Sequence, residues 1–239
     1  RLSPDGLHSR YFNTLFIPQT AMANVTYVAI SGLIGSSKST ALESVAEAIP
    51  ELCKAGFDGG VTVIPENVSQ WGPLLAKFYQ DPQKYAGYVQ IKIAHHFKGV
   101  HQTVERLSGT SMKHLVVSER CHGESGVFVN EARESGNMDD HIYDVYSDTC
   151  KYMNMDDVAP DHILYMEASP ETCIERCRQR ARGCETGISN DYMKSLWSRY
   201  PDFLDGMQTR SGSTIHRMNA EGDRAAVSDQ VIKTLAKLA

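Results

Sequence analysis

Tyr27 to Thr40, YVAISGLIGSSKST, restricts the possible folds more than any other stretch, because a β-branched apolar run meets a glycine-bearing turn and then a helical pattern. It reads as strand, phosphate-cradling loop and helix start. Such a loop turns tightly so that successive backbone N–H groups face phosphate oxygens, with the positive end of the helix dipole behind them. Gly32, Leu33, Ile34, Gly35, Ser36, Ser37, Lys38, Ser39 and Thr40 make up the loop and first turn. Gly32 and Gly35 permit the turn, Lys38 reaches outer phosphates as a point charge, and Ser39 offers its hydroxyl to a magnesium ion between them. The usual pattern is G-x-x-x-x-G-K-[ST], and Ser37 stands at its second glycine. A Cβ there strains the turn or crowds a phosphate if the backbone needs glycine's freedom. The bland alternative is an ordinary strand, turn and helix with a chance lysine.

A chain of 239 residues suits one sizeable α/β domain. A formal charge of −5 leaves no basic excess for a nucleic-acid backbone, so a nucleotide partner is expected to be a small molecule in a local basic site. The six cysteines form no C-x-x-C pair or tight ladder and are expected reduced, inside a cell. No uninterrupted apolar run reaches eighteen residues, so no membrane span is expected. Residues 1–24 mix Pro, Gly, Ser and scattered aromatics without a signal-peptide core, and we take them as an N-terminal extension before a catalytic domain over 25–239. The location expected is cytoplasmic rather than mitochondrial.

Helical spacing is expected over 39–49, broken by Pro50, then over 73–79, 85–107, 127–133, 140–155, 191–204 and 225–238. Strands are expected at 61–64, 114–117, 162–167 and 213–218. Pro170 opens a helix that runs into the basic stretch Arg176 to Arg182. Strands alternating with helices at this spacing imply a doubly wound, five-stranded parallel sheet with flanking helices. Glu66 and the pair Glu119-Arg120 follow strands at their carboxyl ends, where ligands of such sheets collect.

Four further stretches, taken with the loop, resemble the deoxyribonucleoside kinase family, the group containing deoxycytidine kinase, mitochondrial-type thymidine kinase and the insect multisubstrate enzyme. The resemblance covers about residues 25–222. Glu66-Asn67-Val68-Ser69-Gln70-Trp71 resembles the family's E-P-V-x-x-W, with Asn67 in place of the proline. By that resemblance Glu66 accepts the proton of the sugar 5′-hydroxyl and Trp71 walls the nucleoside pocket. Leu74 to Pro82 looks like L-L-x-x-[FM]-Y-x-D-P, which implies that Tyr79 binds the 3′-hydroxyl. Gln90, five residues after Tyr85, falls where the family glutamine pairs with a base edge, and Ile93 and Phe97 share its helical face. Glu119-Arg120-Cys121 resembles E-R-S, so that Glu119 with Ser39 holds magnesium and Arg120 contacts the 5′-oxygen and Glu66. RQRAR, 178–182, matches the family's arginine-rich lid, giving Arg176, Arg180 and Arg182 to the moving phosphate and Glu185 to the 3′-hydroxyl. Phosphoryl transfer needs arranged positive charge more than covalent help, so a lid of arginines makes physical sense. Asn219 to Asp223 follows the last strand, where the family places its donor-base loop.

The resemblance implies a P-loop kinase fold, ATP and Mg2+ as cofactors, a small-molecule deoxynucleoside as acceptor, neither nucleic-acid polymer nor membrane as partner, and a homodimer by analogy. For the base, the charged pair of deoxycytidine kinase is replaced by Phe97 and Ser125, which points to thymidine first and deoxycytidine next. If Phe128 is the family's stacking phenylalanine, one residue is missing before it and Glu124 takes the second position. A buried acid without its arginine is costly, which favours Ser125. Two rivals stay open: a thymidylate-type monophosphate kinase, and a non-catalytic nucleotide binder with a degraded loop.

Overall fold

The computed structural model describes residues 24–181, 183–185 and 187–239. The expected extension therefore lies outside the described residues apart from Asn24, and so does Arg182 of the expected lid. Five strands, β1 (Val25–Ser31), β2 (Gly60–Ile64), β3 (His114–Glu119), β4 (His162–Glu167) and β5 (Thr214–Asn219), form one sheet in the order β2-β3-β1-β4-β5. Every neighbouring pair is parallel, as the alternation of strands and helices requires. β1 is central, which is why its sequence VTYVAIS is apolar almost throughout and nearly all buried. The chain leaves β1 between β3 on one side and β4 on the other, and that change of direction opens a crevice beyond the strand ends.

Ten helices among the described residues wrap the sheet: α1 (Lys38–Glu47), α2 (Ile49–Ala55), α3 (Val68–Gln80), α4 (Pro82–Ser108), α5 (Ser125–Glu134), α6 (Asp140–Tyr152), α7 (Pro170–Arg180), α8 (Asn190–Trp197), α9 (Tyr200–Ser211) and α10 (Arg224–Ala236). Val28 and Ile30 join a core with Leu42 and Val45 of α1 and Val231 and Leu235 of α10. Tyr27 and Val116 join another with Phe97, Val100 and Val104 of α4. Alternate strand residues point to opposite faces, so the sheet buries both. Asp81, Asp139, Ser169 and Ser189 each cap a helix start by accepting a backbone N–H, which fixes where α4, α6, α7 and α8 begin.

Prolines account for the departures from the expected helices. Pro50 ends one helix and sits in the first turn of another, α2, which the periodicity did not separate. Pro73, expected to open a helix, lies inside α3, which starts at Val68. The expected helix over 191–204 is two helices, with Pro201 in the first turn of α9. No helix among the described residues is long and apolar enough to cross a membrane.

The buried face of α4 carries a costly imidazole. His101 is fully buried with neither ring nitrogen hydrogen-bonded among the described residues, and its ring stands edge-on to His122 with centroids 6.4 Å apart. Burial pushes His101 down to about 3, with help from His122 and Lys98, and pushes His122 down to about 4. Both folded-state values lie below the unfolded one, so as pH falls below about 6.5 the unfolded chain takes up protons that the fold refuses, and stability drops. Each imidazole contributes at most about 1.4 kcal/mol per pH unit, down to its own folded value. H101L is expected to flatten this acid slope and, by removing an unsatisfied buried group, to gain about 1 kcal/mol at pH 7. Urea denaturation at pH 7 and pH 5 checks both, and an unchanged slope rejects the account.

Candidate active site

The loop between β1 and α1 has the backbone that a phosphate cradle needs. Gly32 and Gly35 have φ of 145° and 86°. A Cβ on Gly35 would stand 2.5 Å from the Cys173 carbonyl oxygen and 2.9 Å from Cys177 Sγ, so the loop is packed hard against α7. Lys38 is buried and its Nζ donates to the carbonyls of Gly32 (2.8 Å) and Leu33 (2.7 Å). Burial, then the nearby Arg120 charge, lowers Lys38 to about 8. Leu33 itself turns into the core, so it serves the cradle through its backbone alone.

Ser37 adopts φ 69° and ψ 20°, the left-handed conformation that glycine occupies without penalty. The strain foreseen from the sequence is therefore present. For a residue with a Cβ it costs about 1 kcal/mol or slightly more. S37G is expected to recover about 1 kcal/mol less the extra entropy glycine loses on folding, raising Tm by about 2 °C. Thermal denaturation tests this, and a lower Tm for S37G rejects it.

Beyond the loop, β2 and β3 deliver the charged groups. Glu66 follows β2, and Arg120 follows β3 with φ 64°. Arg120 donates from Nε to Glu66 Oε2 (3.3 Å) and from Nη1 to the Gly32 carbonyl (3.1 Å). Its Nη1 also pairs with Glu124, and its guanidinium lies 5.0 Å from the Phe128 ring centroid. Burial alone would lower Arg120, but Glu124, Tyr200 and Glu66 raise it well above the ordinary arginine value. The arginine is therefore a permanent cation beside the Glu66 carboxylate. Ser39 Oγ donates to Glu119 Oε1 at 3.0 Å, and burial raises the Glu119 carboxyl. The two are hard oxygen donors of the kind that suits a magnesium ion.

These groups line one cleft of about 970 Å³ including its mouth. Its loop end presents Ile34, Gly35 and Ser37 to Thr40, and its far end presents Trp71, Tyr79, Gln90, Ile93 and Phe97. Gln90 is buried on α4 with no partner for Oε1 among the described residues. Trp71 is also buried, held edge-on by His96 at 5.2 Å. The cleft thus joins a phosphate cradle to an aromatic slot, with Glu66 and Arg120 on its walls.

The structure adds to two of the expectations. Of the lid pair, Arg180 lines the cleft and donates to Glu185 at 2.6 Å, whereas Arg176 does not line it. The two expected roles of Arg180 and Glu185, phosphate and 3′-hydroxyl, thus meet in one ion pair. Ser125 lines the cleft as expected, but Glu124 lines it too and is not the unpaired acid that the sequence argument set aside. Its arginine is Arg120. Glu124 Oε1 also accepts from Tyr200 Oη (2.8 Å) and the Gly32 N–H (3.4 Å), while Oε2 has no partner among the described residues. Sequence reasoning missed Tyr200 and the cleft-lining Tyr192, whose rings come from α9 and α8 and belong to no motif.

Comparison with known proteins agrees with this geometry. The chain is 32% identical over 183 residues to a deoxyadenosine kinase of Dictyostelium discoideum, a match covering 75% of this chain and 66% of that protein. It is 25% identical to a deoxyadenosine/deoxycytidine kinase of Bacillus subtilis, over 75% of this chain and 76% of that one. It is 27% identical to human mitochondrial thymidine kinase 2, over 74% and 63%. Solved structures of a deoxyadenosine kinase from M. mycoides share the fold, with a TM-score of 0.71 at 19% identity over 88% of this chain and 99% of that one. The model of the deoxynucleoside kinase family matches residues 28–238, nearly the whole described chain with its loop, its paired Glu66 and Arg120 and its cleft, and the chain belongs to that family.

Proposed function

We propose that residues 25–239 form one catalytic domain that transfers the γ-phosphate of ATP, with Mg2+, to the 5′-hydroxyl of a deoxynucleoside. The observation that carries this reading is the 3.3 Å contact between Arg120 Nε and Glu66 Oε2 inside a cleft that ends in the Lys38 loop. Glu66 accepts the proton of the 5′-hydroxyl, and Arg120 holds the carboxylate and steadies charge on the attacking oxygen. Lys38, Ser39 and Glu119 hold the triphosphate end, and Arg180 in the cleft with Arg176 and Arg182 supplies lid charge. ATP with its metal supplies an activated phosphoryl group whose charge these residues spread. Tyr79 and Glu185 take the 3′-hydroxyl, while Gln90, Trp71, Ile93 and Phe128 take the base.

For the acceptor, Phe97 and Ser125 leave an uncharged wall that suits thymidine, with deoxycytidine next. A second reading has its own observation. Glu124 Oε2, buried on the cleft lining without a partner, accepts an amino group and repels a carbonyl, which favours deoxycytidine or, as in the Dictyostelium relative's name, deoxyadenosine. Tyr88, Val145 and Tyr152 stand 61%, 59% and 91% exposed on the packed helices α4 and α6, which supports a homodimer through that face.

Transfer from labelled ATP to thymidine, deoxycytidine, deoxyadenosine, deoxyguanosine and thymidine monophosphate, each alone, tests the reading. Phosphorylation of the nucleosides supports it and ranks the bases. Transfer to the monophosphate alone would make the chain a monophosphate kinase, and binding without transfer would make it a non-catalytic nucleotide binder.

A further inference from the structure

Arg120 is a bent joint. Its left-handed backbone turns the chain sharply out of β3, and such a conformation persists in a non-glycine residue only when its surroundings over-determine it. Two of those surroundings are backbone and side-chain bonds that take no part in the reaction. The Arg120 N–H donates to the Ile30 carbonyl of β1 at 2.9 Å, continuing the ladder for one residue past the end of β3. The Arg120 carbonyl accepts from Ser118 Oγ at 2.6 Å.

Ser118 has a single hydroxyl proton, and that bond uses it. The 3.1 Å contact between Ser118 Oγ and Tyr27 Oη must therefore run the other way, with the tyrosine donating. The direction of the relay is fixed: Tyr27 Oη to Ser118 Oγ to the Arg120 carbonyl. The sheet register brings these groups together. Tyr27 pairs with Val116 across β1 and β3, and Ser118 lies two residues further on, on the same face, so the tyrosine hydroxyl reaches one pleat along β3. Tyr27 is 1% exposed and Ser118 is fully buried, so no water replaces either bond cheaply. Desolvation raises the Tyr27 hydroxyl far above the ordinary phenol, which keeps it a proton donor at any working pH.

We propose that Tyr27 and Ser118 are positioning residues for the phosphotransfer: they lock the Arg120 backbone so that its guanidinium points at Glu66 and the Gly32 carbonyl. This rests on the proposed reaction. Neither hydroxyl lines the substrate cleft, so they act through Arg120 and not on the substrate. Losing the lock swings a long side chain from its root, and a small displacement at the carbonyl becomes a large one at Nε. Substrate binding depends on other residues, so the loss falls on turnover.

The experiment is steady-state kinetics on Y27F, S118A, the double variant and S118T, beside wild type. S118A is expected to lose about tenfold or more in kcat, Y27F about threefold, and KM for nucleoside and for ATP to stay within about twofold. Because the two bonds are in series, the double variant should match S118A rather than multiply the two losses. S118T keeps the hydroxyl and should recover most of the loss. Proportional changes in KM and kcat, multiplying effects, or an S118A protein with wild-type kcat would overturn the proposal. Should S118A fail to fold, Y27F, which removes one oxygen and no carbon, carries the test alone. If wild type transfers no phosphate, the reaction reading has failed and the relay is read separately, from the Arg120 Nε–H signal in 15N NMR. That signal shifts in Y27F if the relay holds the guanidinium and stays in place if it does not.

Discussion

E66Q is expected to lose between about a hundredfold and ten-thousandfold in kcat, while the protein folds normally and binds ATP as before. The substitution keeps the shape of the side chain and an oxygen that accepts from Arg120 Nε, so the wall of the cleft survives. What it removes is the ability to take a proton. An unassisted hydroxyl is a poor nucleophile, and in the proposed reaction the remaining charges at Lys38, Arg120 and Arg180 act on phosphate oxygens without touching that proton. The loss therefore falls on kcat and leaves the nucleoside KM within a fewfold of wild type. A hundredfold loss is about 2.7 kcal/mol, near the top of the range for losing a hydrogen bond to a charged group, and a ten-thousandfold loss is about twice that and beyond it. Single-turnover transfer from labelled ATP measures the chemical step directly. Turnover within about threefold of wild type would remove Glu66 from the mechanism and point to another acceptor of the proton.

Glu66 could be singled out because its strand, its proline and its tryptophan all sit within a few residues of it. The same holds for most of what was legible. A central parallel strand must be apolar on both faces, so β1 announces itself, and the loop that follows it is bound to the strand's end by covalent geometry. The proline-bounded helices were harder, since a proline reads equally as a stop, a first-turn residue or an interior one, and only the packing of α3 and α9 decides. Contacts across long sequence separations were legible only where the family resemblance carried them, as for Glu66 with Arg120 and Ser39 with Glu119. Tyr200 comes from a helix eighty residues beyond Arg120, and no spacing could have paired them. Glu124 shows the error most clearly. A buried acid does need an arginine, but the sequence offered position 97 as its only source, where Phe97 stands. The fold supplied Arg120 from four residues upstream, by bending the chain at a left-handed residue.

That pairing carries the largest stability effect expected here. E124A is expected to destabilise the protein by about 3 to 5 kcal/mol, because it leaves the Arg120 cation buried without its main counter-charge. Arg120 and Glu124 side chains are 7% and 1% exposed, so water does not fill the role. The Tyr200 hydroxyl and the Gly32 N–H lose the same acceptor, and the second of these belongs to the phosphate loop. For a chain of this length the loss corresponds to a Tm lower by about 10 °C. E124Q separates charge from shape: it keeps an acceptor oxygen for Tyr200 and Gly32 and should cost less than half as much. The glutamine also places an amide donor where Oε2 stood, so E124Q should raise the kcat/KM ratio of thymidine to deoxycytidine relative to wild type. Urea titrations at constant m give the stabilities, and the two nucleosides assayed in competition give the ratio. An E124A protein within about 1 kcal/mol of wild type would mean that Glu66 alone neutralises Arg120. The cleft would then hold a carboxylate free to serve the base, and the acceptor would be expected to carry an amino group.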